Sequence, residues 1–123
     1  MIVRHMLNQS TGLDALFRGL ADPARRAMIE RLAQGPMAVS ELARPLPMSL
    51  PAAMQHLRVL ETAGLVRSSK NGRVRTCAIE PQALDLLEQW LSARRSEWQQ
   101  RLERLDDYVQ IIENEGENHD TSE

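Results

Sequence analysis

The segment 49–79 constrains the fold most strongly, because it encodes a helix, a helix stop and a hairpin in direct succession. Ser49 is a favourable N-cap residue, and Gly64 suits the left-handed backbone conformation that commonly ends a helix. Beyond them, the dipeptide Asn71-Gly72 is the strongest short-range signal for a two-residue hairpin turn. The order of these signals predicts a helix that ends before Gly64 and a two-stranded hairpin over 66–79.

Shorter helices are predicted before this segment. Apolar residues recur at helical spacing over 13–20, which indicates a short amphipathic helix. Asp22 is a good N-cap for a second helix, and Pro23 fits its first position, where the missing N–H costs nothing. A brief third helix is expected around 40–43, and a short turn separates it from the helix that Ser49 caps. Two helices joined in this way form a helix-turn-helix unit.

The two faces of the helix over 49–63 differ in character. Ala53, Leu57 and Leu60 form an apolar stripe at helical spacing, so this stripe is expected to face the core. The opposite face is short-chained, polar and basic. It carries Pro51, Gln55, Arg58 and Thr62, with Ala52 and Val59 beside them and His56 at the boundary.

Charge is segregated along the chain, although the formal net charge is only -2. Between residues 44 and 79, six Lys or Arg residues accompany the single acid Glu61. Residues 103–123 contain eight acids and the single base Arg104. Because charges more than about 8 to 10 Å away are largely screened at physiological salt, a polyanion would respond to the basic middle segment.

The C-terminal part of the chain predicts one long helix. From Pro81 onward, apolar residues follow an approximate heptad, and Arg94 and Arg95 interrupt this seam. Residues 113–123 are charged and aperiodic, so a disordered acidic tail is expected there. With 1–11 as an N-terminal extension, a single domain is expected over 12–112, which suits a chain of 123 residues.

Composition restricts the classes of function. A hydrophobic fraction of 42% with 26% charged residues is typical of a folded globular protein. No apolar run has the length of a signal peptide or a membrane span, so we expect a cytoplasmic protein without a membrane partner. The three His residues lie far apart and no Gly-rich phosphate loop is present, which argues against an enzyme. Aromatic residues make up only 3% of the chain, which disfavours single-stranded RNA as a ligand because its readers rely on stacking.

The single cysteine, Cys77, leaves two interpretations open. It is either a redox sensor or a small packed residue of the returning strand. The second interpretation is favoured, because no other cysteine is present to resolve a sulfenic acid. A lone cysteine also excludes an intrachain disulfide and a cysteine-built metal cage within one chain.

Together these patterns predict a mainly α fold with a small β-hairpin, arranged as a winged helix-turn-helix. An α-helix fits the roughly 12 Å wide major groove of B-DNA, and a basic hairpin reaches the adjacent minor groove or backbone. The residues predicted to contact double-stranded DNA are Ser49, Ala52, Gln55, His56, Arg58, Lys70, Arg73 and Arg75.

Other interpretations of these residues remain. His56 fits a packed position at the edge of the apolar stripe, and Arg73 and Arg75 fit the protection of an edge strand against aggregation. At the level of the whole protein, the alternative to a DNA-binding regulator is a protein-protein docking module. A docking module would carry apolar anchors where this chain carries Arg and Lys.

The chain resembles the ArsR/SmtB family of bacterial winged-helix repressors over roughly residues 12–110. The resemblance rests on ADPAR at 21–25 and its flanks, HLRVLETAGLV at 56–66 and NGR at 71–73, which occur in the family's order. It implies a homodimer, joined through the first and last helices, that binds a palindromic operator and is released by a small-molecule inducer. The interface residues implied on those helices are Leu13, Leu16, Phe17, Leu84, Leu87, Leu91, Trp98, Leu102 and Leu105.

The resemblance does not extend to the metal sites of the family. Many members carry a cysteine pair in the helix that corresponds to 40–44, and this chain has none there. Other members bind zinc or nickel through His and carboxylates of the last helix, and this chain has no His over 81–112. We therefore expect no metal site and no cofactor. The reading helix also departs from the family's frequent Val-Ser-Lys-His run, with Ala53-Met54-Gln55-His56 in its place.

Overall fold

The computed structural model describes the backbone of residues 12–121 and the side chains of residues 12–116. Helix α1 covers residues 12–19 and is followed by helix α2, Pro23–Leu32. The remaining elements, in chain order, are β1 (Met37–Ala38), α3 (Val39–Ala43), α4 (Leu50–Thr62), β2 (Val66–Asn71), β3 (Val74–Ile79) and α5 (Pro81–Thr121). The expected N-terminal extension, 1–11, lies outside the described residues.

The chain forms two units, and the boundary between them falls after Leu87. The first unit contains α1 to α4, the sheet and the beginning of α5. The second unit is the remainder of α5, whose described side chains, 88–116, are all exposed. The boundary therefore lies inside the segment that was expected to form a single domain, 12–112.

The core of the first unit is apolar throughout its described part. Its largest fully buried side chains are Met28, Leu42, Leu57, Leu60, Leu65 and Cys77. The predicted stripe of α4 is confirmed, because Ala53, Leu57 and Leu60 are at most 1% exposed. Cys77 lies in the middle of this core, where burial, with a smaller contribution from Glu61, raises the pKa of its thiol. A buried thiol of raised pKa is a poor nucleophile, which supports the packing interpretation.

The helix ends follow the predicted capping signals. The Asp22 side chain accepts a hydrogen bond from the backbone N–H of Arg25 at 3.1 Å, at the start of α2. Ser49 Oγ accepts one from the backbone N–H of Ala52 at 3.3 Å, at the start of α4. Gly64, just past α4, has a φ of 84°, in the region that favours glycine.

The sheet has three antiparallel strands in the order β1-β3-β2, and only the hairpin had been predicted. Strand β1 has two residues, too few to show an alternating pattern, and it pairs Met37 with Cys77. The hairpin register also differs from the prediction. Asn71 is paired with Val74, so the turn residues are Gly72 and Arg73 rather than Asn71 and Gly72. Gly72 has a φ of 66° at the first central position, where a type II′ turn requires a positive φ.

Helix α5 continues further than the sequence pattern indicated. It extends to Thr121, so the disordered tail expected from residue 113 is wrong as far as 121. No proline interrupts 113–121, and extending an existing helix costs less than starting a new one, so α5 continues although most residues of this segment are weak helix formers. None of the described helices combines the length and the apolar character that a membrane crossing requires.

Candidate nucleic-acid interface

Helix α4 turns its polar face to solvent because its apolar stripe is fixed in the core. Gln55 and Arg58 are exposed, as are Pro51 and Thr62 on the same face. Ser49 is exposed at the N-terminal end of the helix, and Ala52 is half-buried beside it. The structure therefore exposes Ser49, Gln55 and Arg58, and Gln55 and Arg58 line one surface of the helix.

His56 occupies a different position from the other predicted contacts. It is half-buried, and its Nδ1 lies 3.9 Å from Oδ2 of Asp22, the N-cap residue of α2. The hydrogen bond from the Arg25 backbone N–H is the main cause that holds the pKa of Asp22 below its ordinary value, and His56 contributes to this as well. His56 thus links α4 to the start of α2, which agrees with its predicted place at the boundary of the apolar stripe.

The hairpin β2–β3, Val66–Ile79, forms the wing, and its end carries three cations. Lys70 and Arg75 are directly opposite each other in the antiparallel register, and Arg73 lies in the turn between the strands. All three side chains are exposed, and none makes a hydrogen bond or an ion pair with the described part of the chain. Like charges opposite each other destabilise a strand pair. The end of the wing therefore favours an anionic partner that would neutralise this repulsion.

Side chains at the base of the wing hold it against helix α4. Ser68 Oγ on β2 donates a hydrogen bond to Glu61 Oε1 on α4. The backbone N–H of Glu80 donates to the carbonyl of Leu65 at 2.8 Å, and Arg67 Nη1 lies 4.0 Å from Glu80 Oε1. Glu61, the only acid in the basic segment, is thus directed to the wing base and away from the outward face of α4.

A small groove between α4 and the wing contains apolar residues that sequence reasoning missed. Leu50 and Val74, 55% and 52% exposed, line it together with Met54. Arg73 and Arg75 of the wing and residues 38–40 of β1 and α3 also line it, and its volume is about 260 Å³. Leu50 was given no role from the sequence. Its place directly after the N-cap, where a helix projects from the protein, was the available signal.

The residues implied for a dimer interface fall into three groups by their exposure. Phe17, Leu84, Leu91, Trp98, Leu102 and Leu105 are exposed. Leu13 and Leu87 are half-buried, and Leu87 packs against the core of the first unit. Leu16 corrects the expectation, because it is only 3% exposed and belongs to the core of its own chain, so its side chain is not available to a second protomer. Other exposed apolar side chains on α5 are Trp90, Tyr108, Val109, Ile111 and Ile112.

Metal-ligating side chains do not gather in the part of the chain that the structure describes. Within it, no group of three or more His, Cys, Asp or Glu residues is placed so that it could hold a metal ion. The chemistry of the surface is instead that of guanidinium, ammonium and amide groups, which recognise phosphate oxygens and base edges.

Comparisons with known proteins agree with this geometry. Residues 20–69 match the family described as a helix-turn-helix domain. The chain is 43% identical over 109 residues to HTH-type transcriptional regulator Rv2034 of Mycobacterium tuberculosis, covering 85% of this chain and 92% of that relative. A crystal structure of an ArsR family transcriptional regulator is 48% identical, with a TM-score of 0.66, and the match covers 72% of this chain and 91% of that one.

A third similar protein is known as a homodimer. The solution structure of the homodimeric winged helix-turn-helix DNA-binding domain Mb0332 from Mycobacterium bovis is 26% identical, with a TM-score of 0.59, and the match covers 76% of this chain and 84% of that one. The identity and coverage of these matches, together with the winged arrangement of α3, α4 and the β2–β3 hairpin, show that the chain belongs to the ArsR/SmtB family of winged helix-turn-helix transcriptional regulators.

Proposed function

We propose that this chain is a homodimeric transcriptional repressor that binds an inverted-repeat operator on double-stranded DNA. Each protomer inserts α4 into a major groove and lays its wing on the sugar-phosphate backbone. The observation that carries the proposal is the cluster of three exposed cations at the end of the wing, Lys70, Arg73 and Arg75, beside the polar outward face of α4.

Helix α4 has the properties of a reading helix. Its outward face is free of acidic side chains, since Glu61 is hydrogen-bonded to Ser68 at the wing base. Gln55 is exposed on that face and has the amide that contacts the N6 and N7 atoms of adenine in a bidentate manner. We expect the exposed side chains of Ser49 and Arg58 to contact the sugar-phosphate backbone of the DNA. Affinity would come mainly from phosphate contacts, and selectivity from Gln55 and its neighbours.

A second copy of the chain is the proposed partner of α5. The second unit exposes apolar side chains at intervals close to a heptad, including Leu91, Trp98, Leu102 and Leu105. Apolar surface of this extent on one helix marks an interaction site. Family membership and the homodimeric Mycobacterium bovis domain support a homodimer, and a two-fold symmetric dimer reads an inverted repeat.

The test is selection of bound duplexes from a random pool by the purified protein. The enriched sequences should form an inverted repeat whose half-site centres are about one helical turn, roughly 34 Å, apart. Light scattering in parallel should give the mass of a dimer. If no sequence is enriched, or the protein remains monomeric at micromolar concentration, the proposal is refuted.

The protein-docking alternative is not favoured. The named relatives are transcriptional regulators, and three exposed cations stand at the end of the wing beside the single apolar residue Val74. The exposed apolar pair Leu50 and Val74 borders the reading helix, where apolar contact with a thymine methyl group is a common mode of base recognition.

A further inference from the structure

A second cationic surface lies on the side of α4 that faces α1 and α2. It is a groove of about 670 Å³, here called the α1 groove, and its walls include Arg18 of α1, Arg25 of α2, and Gln55, Arg58 and Thr62 of α4. No acidic side chain lines it. In a chain with a net charge of -2, a groove with three guanidinium groups and no carboxylate is a strong local concentration of positive charge.

The three arginines of the α1 groove differ in the hydrogen bonds that their side chains make within the protein. Arg25 Nε donates to the carbonyl of Gly19 at 2.7 Å, and Arg25 Nη2 donates to the carbonyl of Arg18 at 3.1 Å. These bonds hold its guanidinium in place and use two of its five N–H donors. The side chains of Arg18 and Arg58 are exposed, and their guanidinium groups make no hydrogen bond or ion pair with any described residue. They are therefore available to an external anion.

The walls of the groove are rigid. Gly19 is buried where the end of α1 meets α4, and an added Cβ would lie 2.7 Å from Leu65 Cδ1 and 3.1 Å from Ala63 Cβ. The backbones of the two helices therefore approach closely at this point. Because Arg18 precedes Gly19 directly, its position relative to the reading helix is fixed by this contact.

The α1 groove and the wing flank α4 on different sides. The wing meets α4 along Leu50 and Met54, whereas α1 and α2 border it along Gln55, Val59 and Ala63. A helix in the major groove has one sugar-phosphate strand on each side, because two strands bound that groove. The wing cations would contact the phosphates of one DNA strand. The arginines of the α1 groove lie on the side of the other DNA strand.

We propose that Arg18, supported by the fixed guanidinium of Arg25, binds phosphates of the DNA strand that borders α4 on the side away from the wing. The inference rests on the proposed DNA-binding function and extends the contact surface to helix α1. DNA phosphates are favoured over a small free anion because the groove is open along its outer side. A small anion would keep most of its hydration there, whereas a duplex held by α4 and the wing brings its phosphates to the groove.

The salt dependence of operator affinity tests the proposal. Each phosphate contact contributes about 0.9 to the slope of log K against log salt concentration, so Arg18→Ala should lower the slope by about one per protomer. The matched control is Arg101→Ala, which removes the same charge from an exposed position on α5 and should leave the slope unchanged. Arg73→Ala on the wing is the positive control for phosphate contact.

Neutral backbone analogues locate the contact. Methylphosphonate linkages are placed one at a time along the half-site, and the substitution that weakens the wild-type protein should have no further effect on Arg18→Ala. That position should lie on the strand opposite to the one at which Arg73→Ala shows the same insensitivity.

The outcomes separate this inference from the proposed function. If Arg73→Ala lowers the slope and Arg18→Ala does not, the α1 contact is refuted while DNA binding stands. If Arg18→Ala and Arg101→Ala lower the slope by the same amount, the reduction is a general effect of the lost charge, and the α1 contact is refuted. Weaker binding of Arg18→Ala at an unchanged slope would assign Arg18 a purely structural role. If the wild-type protein binds no duplex, both the inference and the function fail.

Discussion

The close packing of α1 on α4 predicts a specific sensitivity at Gly19. Its backbone has no positive φ, so alanine is conformationally allowed there. The added methyl group, however, would lie 2.7 Å from Leu65 Cδ1 and 3.1 Å from Ala63 Cβ. Leu65 is 1% exposed, so its side chain is enclosed by the core, and the Cβ of Ala63 is attached directly to the backbone. Helix α1 must therefore move away from α4.

The expected loss follows from the cost of overpacking. An extra methyl group in a well-packed core costs about 1–3 kcal/mol. Alanine recovers part of this because it is a better helix former than glycine, by up to about 1 kcal/mol in a helix interior and by less at the end of α1. We expect Gly19→Ala to lower the free energy of unfolding by about 1–2 kcal/mol. With a urea m-value of about 2 kcal/mol/M, the unfolding midpoint falls by about 0.5–1 M.

The assay is urea unfolding followed by circular dichroism, at one fixed protomer concentration because dimer stability depends on concentration. Gly12→Ala is the matched control, since its Cβ would meet only Leu86 Cδ2 at 3.6 Å, an ordinary contact. Its midpoint should stay close to that of the wild-type protein. A Gly19→Ala protein as stable as the wild type, with an unchanged m-value, would refute the close approach of α1 to α4. Because Arg18 adjoins this contact, operator affinity should fall together with stability.

Four further outcomes are expected. Arg73→Ala should lower the salt slope of DNA binding by about one per protomer and weaken all sequences alike, and an unchanged slope would exclude a phosphate contact. Gln55→Ala should cost about 1–3 kcal/mol on the selected operator and little on random DNA, whereas equal losses would exclude base reading. Replacing one operator thymine by deoxyuridine, which lacks the C5 methyl group, should weaken binding by the wild-type protein. The same replacement should not change binding by Leu50→Ala, and a loss of equal size in both proteins would exclude Leu50 as the contact of that methyl group. Asp22, whose pKa is lowered chiefly by the Arg25 backbone N–H, stabilises the fold above the pKa of the unfolded state and loses this effect as pH falls through the folded pKa. The stability difference between wild type and Asp22→Ala should therefore close on acidification below about pH 4, and a difference that does not change with pH would contradict this.

Sequence patterns predicted the reading helix well, because its signals are local. Ser49 and Gly64 act within one turn of the helix ends, and the stripe that includes Leu57 follows directly from helical periodicity. The outward position of Gln55 is then fixed by geometry. The same local chemistry located the start of α2 at Asp22.

Features that depend on tertiary context were not predictable in this way. Strand β1 exists only because β3 offers it a free edge, and two residues carry no periodicity. The hairpin turn is displaced by one residue, because the register places Cys77 of β3 in the core and Gly72 at the first central position of the turn. The family resemblance implied an interface role for Leu16, and an apolar residue on a short helix does not itself reveal which neighbour covers it.

The connections of the two edge strands restrict how the DNA affinity of the protein can change. Strand β1 pairs with the central strand β3 and leads without a gap into α3, while Ser68 joins the other edge strand to α4. The sheet thus joins α3 at one edge to α4 at the other, which favours movement of the reading helix and the wing as one unit. We expect a change of DNA affinity to arise from a change in the distance between the two reading helices of a dimer. Each reading helix should move together with its wing, without internal rearrangement.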